Sequence, residues 1–218
     1  MEAGYEKTDR TEVRRMPERG HYERDVVHAI LDEALVCHLG FIADGKPVVI
    51  PTIYGRAGET LYVHGSVASR MLRSLKDGVD LSLTVTLIDG LVLARSSFHH
   101  SMNYRSVVVF GRGRAVVDSE EKGRALDAIV DHTVPGRRDQ VRPPNAKELA
   151  KTLVIAVDLE LVSAKVRTGP PVDDEEDYDI PVWAGVIPLR LQTEAVVPDP
   201  RLDQAIAIPE HVARYARR

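Results

Sequence analysis

The sequence predicts an antiparallel β-barrel of the α+β, mainly β class, with helices at its periphery. Two observations carry that expectation. Six or seven short apolar runs follow one another with strand-like alternation and are joined mostly by hairpin-type turns. Helical periodicity, by contrast, stands apart from most strand pairs instead of recurring between each of them, which argues against a doubly wound parallel sheet.

Taken in order, residues 1–21 are charged and aperiodic and read as an extended arm outside the core. From Arg24 to Leu35, Val26, Val27, Ile30, Leu31, Ala34 and Leu35 fall at helical spacing, leaving His28 off the stripe and solvated. The segment VCHLGFIADGKPVVIPTIYG then holds two extended runs about Asp44-Gly45, a dipeptide that accepts the positive φ of a tight hairpin. TLYVHG adds a third run. A short helix follows, with Ser66 as its cap, Met71, Leu72 and Leu75 facing inward and Gly78 at its stop. Asp89-Gly90 predicts a second hairpin, between VDLSLTVTLI and LVLARSS. The long strand YRSVVVFGRGRAVV contains Gly111 and Gly113, which suggest a bulge or a close backbone approach. A helix spans Ser119 to about His132, VPGRRDQVRPPN is a loop, and KTLVIAVDLELVSAKVRTG reads as a single extended pass. On this reading residues 22–192 form the barrel and 193–218 a tail.

The 218-residue chain has 44% apolar and 28% charged residues and a formal net charge of -4, the balance of an ordinary globular protein with no basic excess for nucleic acid. One cysteine, Cys37, excludes an internal disulfide framework and points to a reducing, cytoplasmic setting. No apolar run reaches membrane-spanning length, so neither membrane insertion nor a signal segment is expected.

Several residues are candidates for chemistry. His99 and His100 open the long strand, but neighbours on an extended chain point to opposite faces, and spacings that would complete a metal site are missing, so no metal is expected. No Gly-x-Ser-x-Gly elbow supports a nucleophile, and Cys37 reads as a buried structural thiol. In HGSVASRMLRS, Gly65, Ser66, Ser69 and Arg70 stand at a helix start. Two readings are open: an anion site built on helix N–H groups and a guanidinium, or a solvated helix end. Strand alternation places Lys165 and Arg167 on the face of Leu153, Ile155, Val157, Leu159 and Leu161, as a rim for an anionic ligand or as snorkelling side chains. The acidic DDEEDYD run reads as a solvated loop.

The order GFIADGKPVVIPTIYG, LYVHGSVASRML, SMNYRSVVVFGRGRAV and AKVRTGPPVDDEEDYDIPVWAGVIPL resembles the pyridoxamine 5'-phosphate oxidase-like split-barrel family, particularly its nitroimidazole-resistance-type branch. Tyr62, His64, Ser69 and Arg70 carry the most specific part of the likeness. The resemblance implies a split barrel, a homodimer and FMN held at the subunit interface. It implies that Ser69 and Arg70 bind the FMN phosphate, while Asn103, Tyr104, Arg105 and Ser106 line the ribityl chain and ring. Arg105, Lys165 or Arg167 would supply positive charge near the ring, His64 or His99 a proton, and Trp183 would pack near the flavin. Where the family oxidase has a second cation after Ser-Arg, this chain has Met71, which argues against pyridoxamine phosphate as substrate. The resulting expectation is an FMN-dependent oxidoreductase acting on a small molecule. Its alternatives are a flavin-binding protein without turnover, and a barrel that holds haem or a deazaflavin.

Overall fold

The computed structural model describes residues 4–216, save the side chain of Asp77. Among the described residues, one sheet contains β1 (Gly20–His21), β2 (Val36–Ala43), β3 (Lys46–Ile53), β4 (Gly55–Ala57), β5 (Thr60–Ser66), β6 (Asp77–Leu93), β7 (Ser101–Ala115), β8 (Thr152–Asp158), β9 (Leu161–Arg167) and β10 (Gly185–Pro188). The helices are α1 (Arg24–Glu33), α2 (Arg70–Leu75), α3 (Ser119–Thr133), α4 (Ala146–Lys151) and α5 (Glu210–Ala213). The main path through the sheet is β3-β2-β6-β7-β8-β5-β4, with β10 added to β6 and with β9 joining β7 to β1. All pairings are antiparallel, and β3 and β4 end the path without closing a full ring.

The first expected hairpin forms. Asp44 and Gly45 both adopt positive φ, 50° and 72°, the geometry whose twist matches that of β2 and β3. The second does not form, because β6 runs straight through Asp89-Gly90 as a 17-residue strand. The dipeptide makes a bulge instead, one extra residue between Ile88 and Gly90 opposite Tyr104 and Asn103. Gly90 is needed there for closeness: a Cβ would lie 3.0 Å from the Ile187 carbonyl oxygen of β10.

The final strand run is also not a single pass. It breaks at Leu159-Glu160 into β8, which pairs with β5 and the end of β7, and β9, which pairs with Tyr104–Phe110 of β7. The break changes the phase of the alternation. Ile155, Val157 and Leu159 enter the main core from one side, and Val162 and Ala164 do so on the other. Lys165 and Arg167 therefore lie on the face opposite the expected one. The unbroken apolar run LVIAV is explained by burial on both sides: Val154 and Ala156 pack with Tyr62, Val116, Ala125 and Ile129 beneath α3.

The start of α2 differs by a few residues from expectation: Ser69, not Ser66, caps it by accepting the Leu72 N–H. The α3 helix begins at Ser119 as expected, capped by Asp118, which accepts the Glu121 N–H at 2.7 Å. The loop before β8 contains α4, whose start is a reciprocal capping box of Asn145 and Glu148. The arm is not outside the core: Tyr5 is 6% exposed, donates its hydroxyl to Glu59 at 2.8 Å and lies 3.0 Å from His28 Nε2. His28 is consequently half-buried under the arm rather than solvated.

Gly113 serves close approach rather than a bulge, since a Cβ there would lie 2.7 Å from the Leu75 carbonyl oxygen at the end of α2. Gly113→Ala is expected to lower stability by about 1–3 kcal/mol through overpacking. Gly123→Ala, in α3 with open space around the new methyl, should raise it by about 0.5–1 kcal/mol. Paired thermal melts test the contrast, and equal shifts of the same sign would refute it. Cys37 is fully buried, and burial pushes its thiol up to about 12. A thiol-specific reagent at neutral pH should label the native protein negligibly and the unfolded protein once per chain; rapid native labelling would show that β2 opens.

Candidate functional site

Two clusters emerge, and β7 determines both. At its N-terminal end the register with β9 sets Tyr104 beside Arg167, Arg105 beside Val166 and Ser106 beside Lys165. Asn103 is 8% exposed and acts in both directions, donating Nδ2 to the Gly169 carbonyl at 3.1 Å and accepting from the Arg167 guanidinium. Arg167, 6% exposed, also donates to the carbonyls of Gly169 and Pro170, at 3.4 and 3.1 Å. Among the described residues it has no carboxylate partner, and desolvation, with the nearby Arg19 charge, moves its pKa below the usual guanidinium value.

Arg105 is placed otherwise. Glu33 at the end of α1 and Asp89 in the β6 bulge each grip its guanidinium with two oxygens. Hydrogen bonds from these two carboxylates hold its pKa above the ordinary value. Ser106 Oγ donates to the Lys165 carbonyl at 3.3 Å, and Lys165 Nζ donates to the Arg15 carbonyl of the arm at 2.9 Å. Nearby, His99 Nε2 lies 3.2 Å from Asp174 Oδ2, and the ligand atoms of His99, Asp174 and Asp177 fall within 4.8 Å of one another on an exposed surface. His100 Nδ1 contacts the Ser96 carbonyl at 2.9 Å. Trp183 is 67% exposed and lies over Gly185 at the start of β10.

The second cluster is at the junction of β5 and α2. Ser66 Oγ accepts the Ala68 N–H at 3.1 Å, and Ser69 Oγ accepts the Leu72 N–H at 3.4 Å as the helix cap. The Arg70 side chain projects into solvent and has no carboxylate partner among the described residues. His64, paired with Val154 of β8, is half-buried, and burial lowers its pKa, favouring the neutral imidazole. Its Nδ1 is buried without a hydrogen-bond partner. His64 lines a cleft of about 710 Å³ whose other walls include Leu126, Ile129 and Val130 of α3 and Arg138, Val141 and Arg142 of the following loop. Sequence reading had singled out His64 but not this cleft; its signal was a second apolar stripe on α3 followed by a Pro/Arg loop.

The expected site residues therefore form two groups. Asn103, Tyr104, Arg105, Ser106, Lys165 and Arg167 come together, while His64, Ser66, Ser69 and Arg70 lie beyond the other end of β7. From Arg105 to Gly113, where α2 packs, the path along the strand is roughly 25 Å. One chain does not bring the two groups into contact.

A family model described as pyridoxamine 5'-phosphate oxidase matches residues 23–166. No match is found among curated proteins. Among solved structures, the chain is similar to the flavocytochrome Anf3 from Azotobacter vinelandii, at 42% identity over 96% of this chain and 97% of that one, with a TM-score of 0.90. It is also similar to the FAD and haem binding protein from Mycobacterium smegmatis, at 36% identity over 89% and 95%, with a TM-score of 0.85. A structure from Bacteroides thetaiotaomicron described as a 5-nitroimidazole antibiotic resistance protein shares the fold, at 24% identity over 67% and 86%, with a TM-score of 0.56. By this match over most of its sheet, the chain belongs to the pyridoxamine 5'-phosphate oxidase family of split barrels.

Proposed function

We propose that the protein is a flavin- and haem-binding redox protein, with each flavin shared between two copies of the chain. The observation that carries the shared site is the separation of its two halves along β7. A flavin whose phosphate end is held by Ser69 and Arg70, and whose ring end lies by Asn103–Ser106, needs these groups from different copies. Relatives at 42% and 36% identity, named as a flavocytochrome and as an FAD and haem binding protein, support the two cofactor classes. The second of them favours FAD over the FMN implied by the sequence resemblance.

Arg70 fits the phosphate role, because its guanidinium is exposed and lacks a carboxylate partner among the described residues. Arg105 is outweighed by the two carboxylates of Glu33 and Asp89, so it positions the strand end rather than supplying positive charge. Arg167 is the uncompensated cation on the ring side, and its positive charge favours the anionic reduced flavin. His99, held through Nε2 by Asp174, can pass a proton there from Nδ1. The bound flavin supplies the electron transfer, and a small molecule over the exposed ring face is the substrate.

Flavin released from purified protein should chromatograph as FAD, and anaerobic NADH or NADPH should bleach the flavin bands. Bands that persist with every donor would favour a binder without turnover of its own. Arg70→Ala should raise the flavin dissociation constant roughly tenfold to a hundredfold and leave riboflavin binding nearly unchanged. Unchanged flavin affinity would move the phosphate to another site. Light scattering should give the mass of two chains; a monomer retaining flavin would overturn the shared site.

A further inference from the structure

Sequence spacing leaves His99 without metal ligands around it, and the fold supplies them from a distant segment. His99 ends the 3₁₀ turn Ser97–His99, just before β7. The acidic run, 75 residues further on, forms a second 3₁₀ turn, Glu175–Asp179, preceded by Asp174. Side chains three residues apart in such a turn lie one above the other, so Asp174 and Asp177 face the same way. The turn is closed by the Asp177 N–H, which donates to the Asp174 carbonyl at 2.9 Å. Both carboxylates meet His99: Nε2 lies 3.2 Å from Asp174 Oδ2, and the ligand atoms of all three residues fall within 4.8 Å of one another.

Two features separate this cluster from a solvated acidic loop. The first is its mounting. Asp173 has a fully buried side chain and accepts the Arg95 N–H at 2.9 Å and the Arg95 guanidinium at 3.0 Å. Arg95 also lies over the Tyr178 ring, 4.8 Å from its centroid. Arg95 leads into the turn that ends at His99, and Asp173 and Tyr178 flank Asp174 and Asp177, so one ion pair locks both ligand segments together. The second feature is charge. Among the described residues neither Asp174 nor Asp177 pairs with a lysine or arginine, although Asp177 is half-buried. Nor does Asp174 spend its carboxylate on capping the turn it precedes. Two carboxylates held this close beside one imidazole repel each other until a cation joins them.

We propose that His99 Nε2, Asp174 and Asp177 bind one divalent first-row transition-metal ion, with water completing its shell. One imidazole with two carboxylates suits Mn²⁺ or Zn²⁺, whereas Ca²⁺ and Mg²⁺ take oxygen ligands and Cu⁺ favours sulfur. Neighbouring ligand atoms around such an ion stand roughly 3–3.5 Å apart, from bonds of ~2.0–2.2 Å. The His99–Asp174 separation of 3.2 Å already matches. Coordination through Nε2 leaves the Nδ1 proton in place for the role given to His99 above, and the ion fastens the acidic run to the start of β7.

The test is titration of the full-length protein, freed of loosely held cations by a chelator, with Mn²⁺ followed by electron paramagnetic resonance. The parent should bind one Mn²⁺ per chain, and equimolar Ca²⁺ should not displace it. His99→Ala and Asp177→Asn should each weaken binding roughly tenfold or more. Asp179→Asn removes an exposed acid of the same run outside the cluster and should bind as the parent does. Zn²⁺ should raise the melting temperature of the parent and of Asp179→Asn, and leave that of the other two variants unchanged. If either of those fails to fold, Asp174→Asn, at a side chain 71% exposed, should show the same loss. Parent-like Mn²⁺ affinity in a ligand variant, an equal loss in Asp179→Asn, displacement by equimolar Ca²⁺ or a parent that binds no Mn²⁺ would each overturn the site. The flavin reading stands or falls separately, on the flavin released from the protein.

Discussion

The architecture depends on how one strand divides its edges. Along one edge β7 pairs with β6 over nearly its whole length, and along the other it meets β9 first and β8 last. A strand cannot hydrogen-bond two neighbours at the same position on one edge, so the chain must break between β8 and β9. That break opens the sheet into its split form. It also allows β8 to be buried on both faces, between the main core and α3, while β9 pairs along its other edge with β1 of the arm. Gly113 permits this at the crowded end, where the α2 backbone lies against β7.

The same division organises the charges. At the N-terminal end of β7 two arginines are treated in opposite ways. Arg105 is gripped by two carboxylates, which tie α1 to the β6 bulge and leave no excess positive charge. Arg167 is buried against carbonyls and an amide, so its charge is solvated by dipoles and not cancelled. Only the second arrangement leaves a field for an anion to feel. The bulge that places Asp89 is thus part of the electrostatics and not a defect of the strand.

At the other end the inventory is reversed. Instead of well-satisfied polar groups, an apolar cleft surrounds a histidine with an unpartnered nitrogen. Leaving a buried polar atom without a partner costs free energy, which is tolerable where a ligand completes it. Within this fold a polar, positively charged end and an apolar, imidazole-bearing end are separated by the length of a strand.

Much of this was legible in the linear chain. Alternating apolar runs, the Asp44-Gly45 turn and the α1 and α3 patterns depend on neighbours in sequence, and these elements formed as expected. Four residue strings likewise sufficed for the family. What local pattern could not settle was where the chain meets itself. Asp89-Gly90 has the same turn chemistry as Asp44-Gly45, yet it lies flat because β10 approaches Gly90 from a hundred residues away. Alternation counted through Leu159-Glu160 put Arg167 on the wrong face, since the break there is imposed by competition for the edge of β7. His28 and Tyr5 pair across the arm, and nothing in either segment alone announces it. Residue spacing determined the elements, because their hydrogen bonds are local or periodic. Tertiary structure decided which faces are buried and which charges are cancelled, because burial and ion pairing depend on distances between segments remote in sequence.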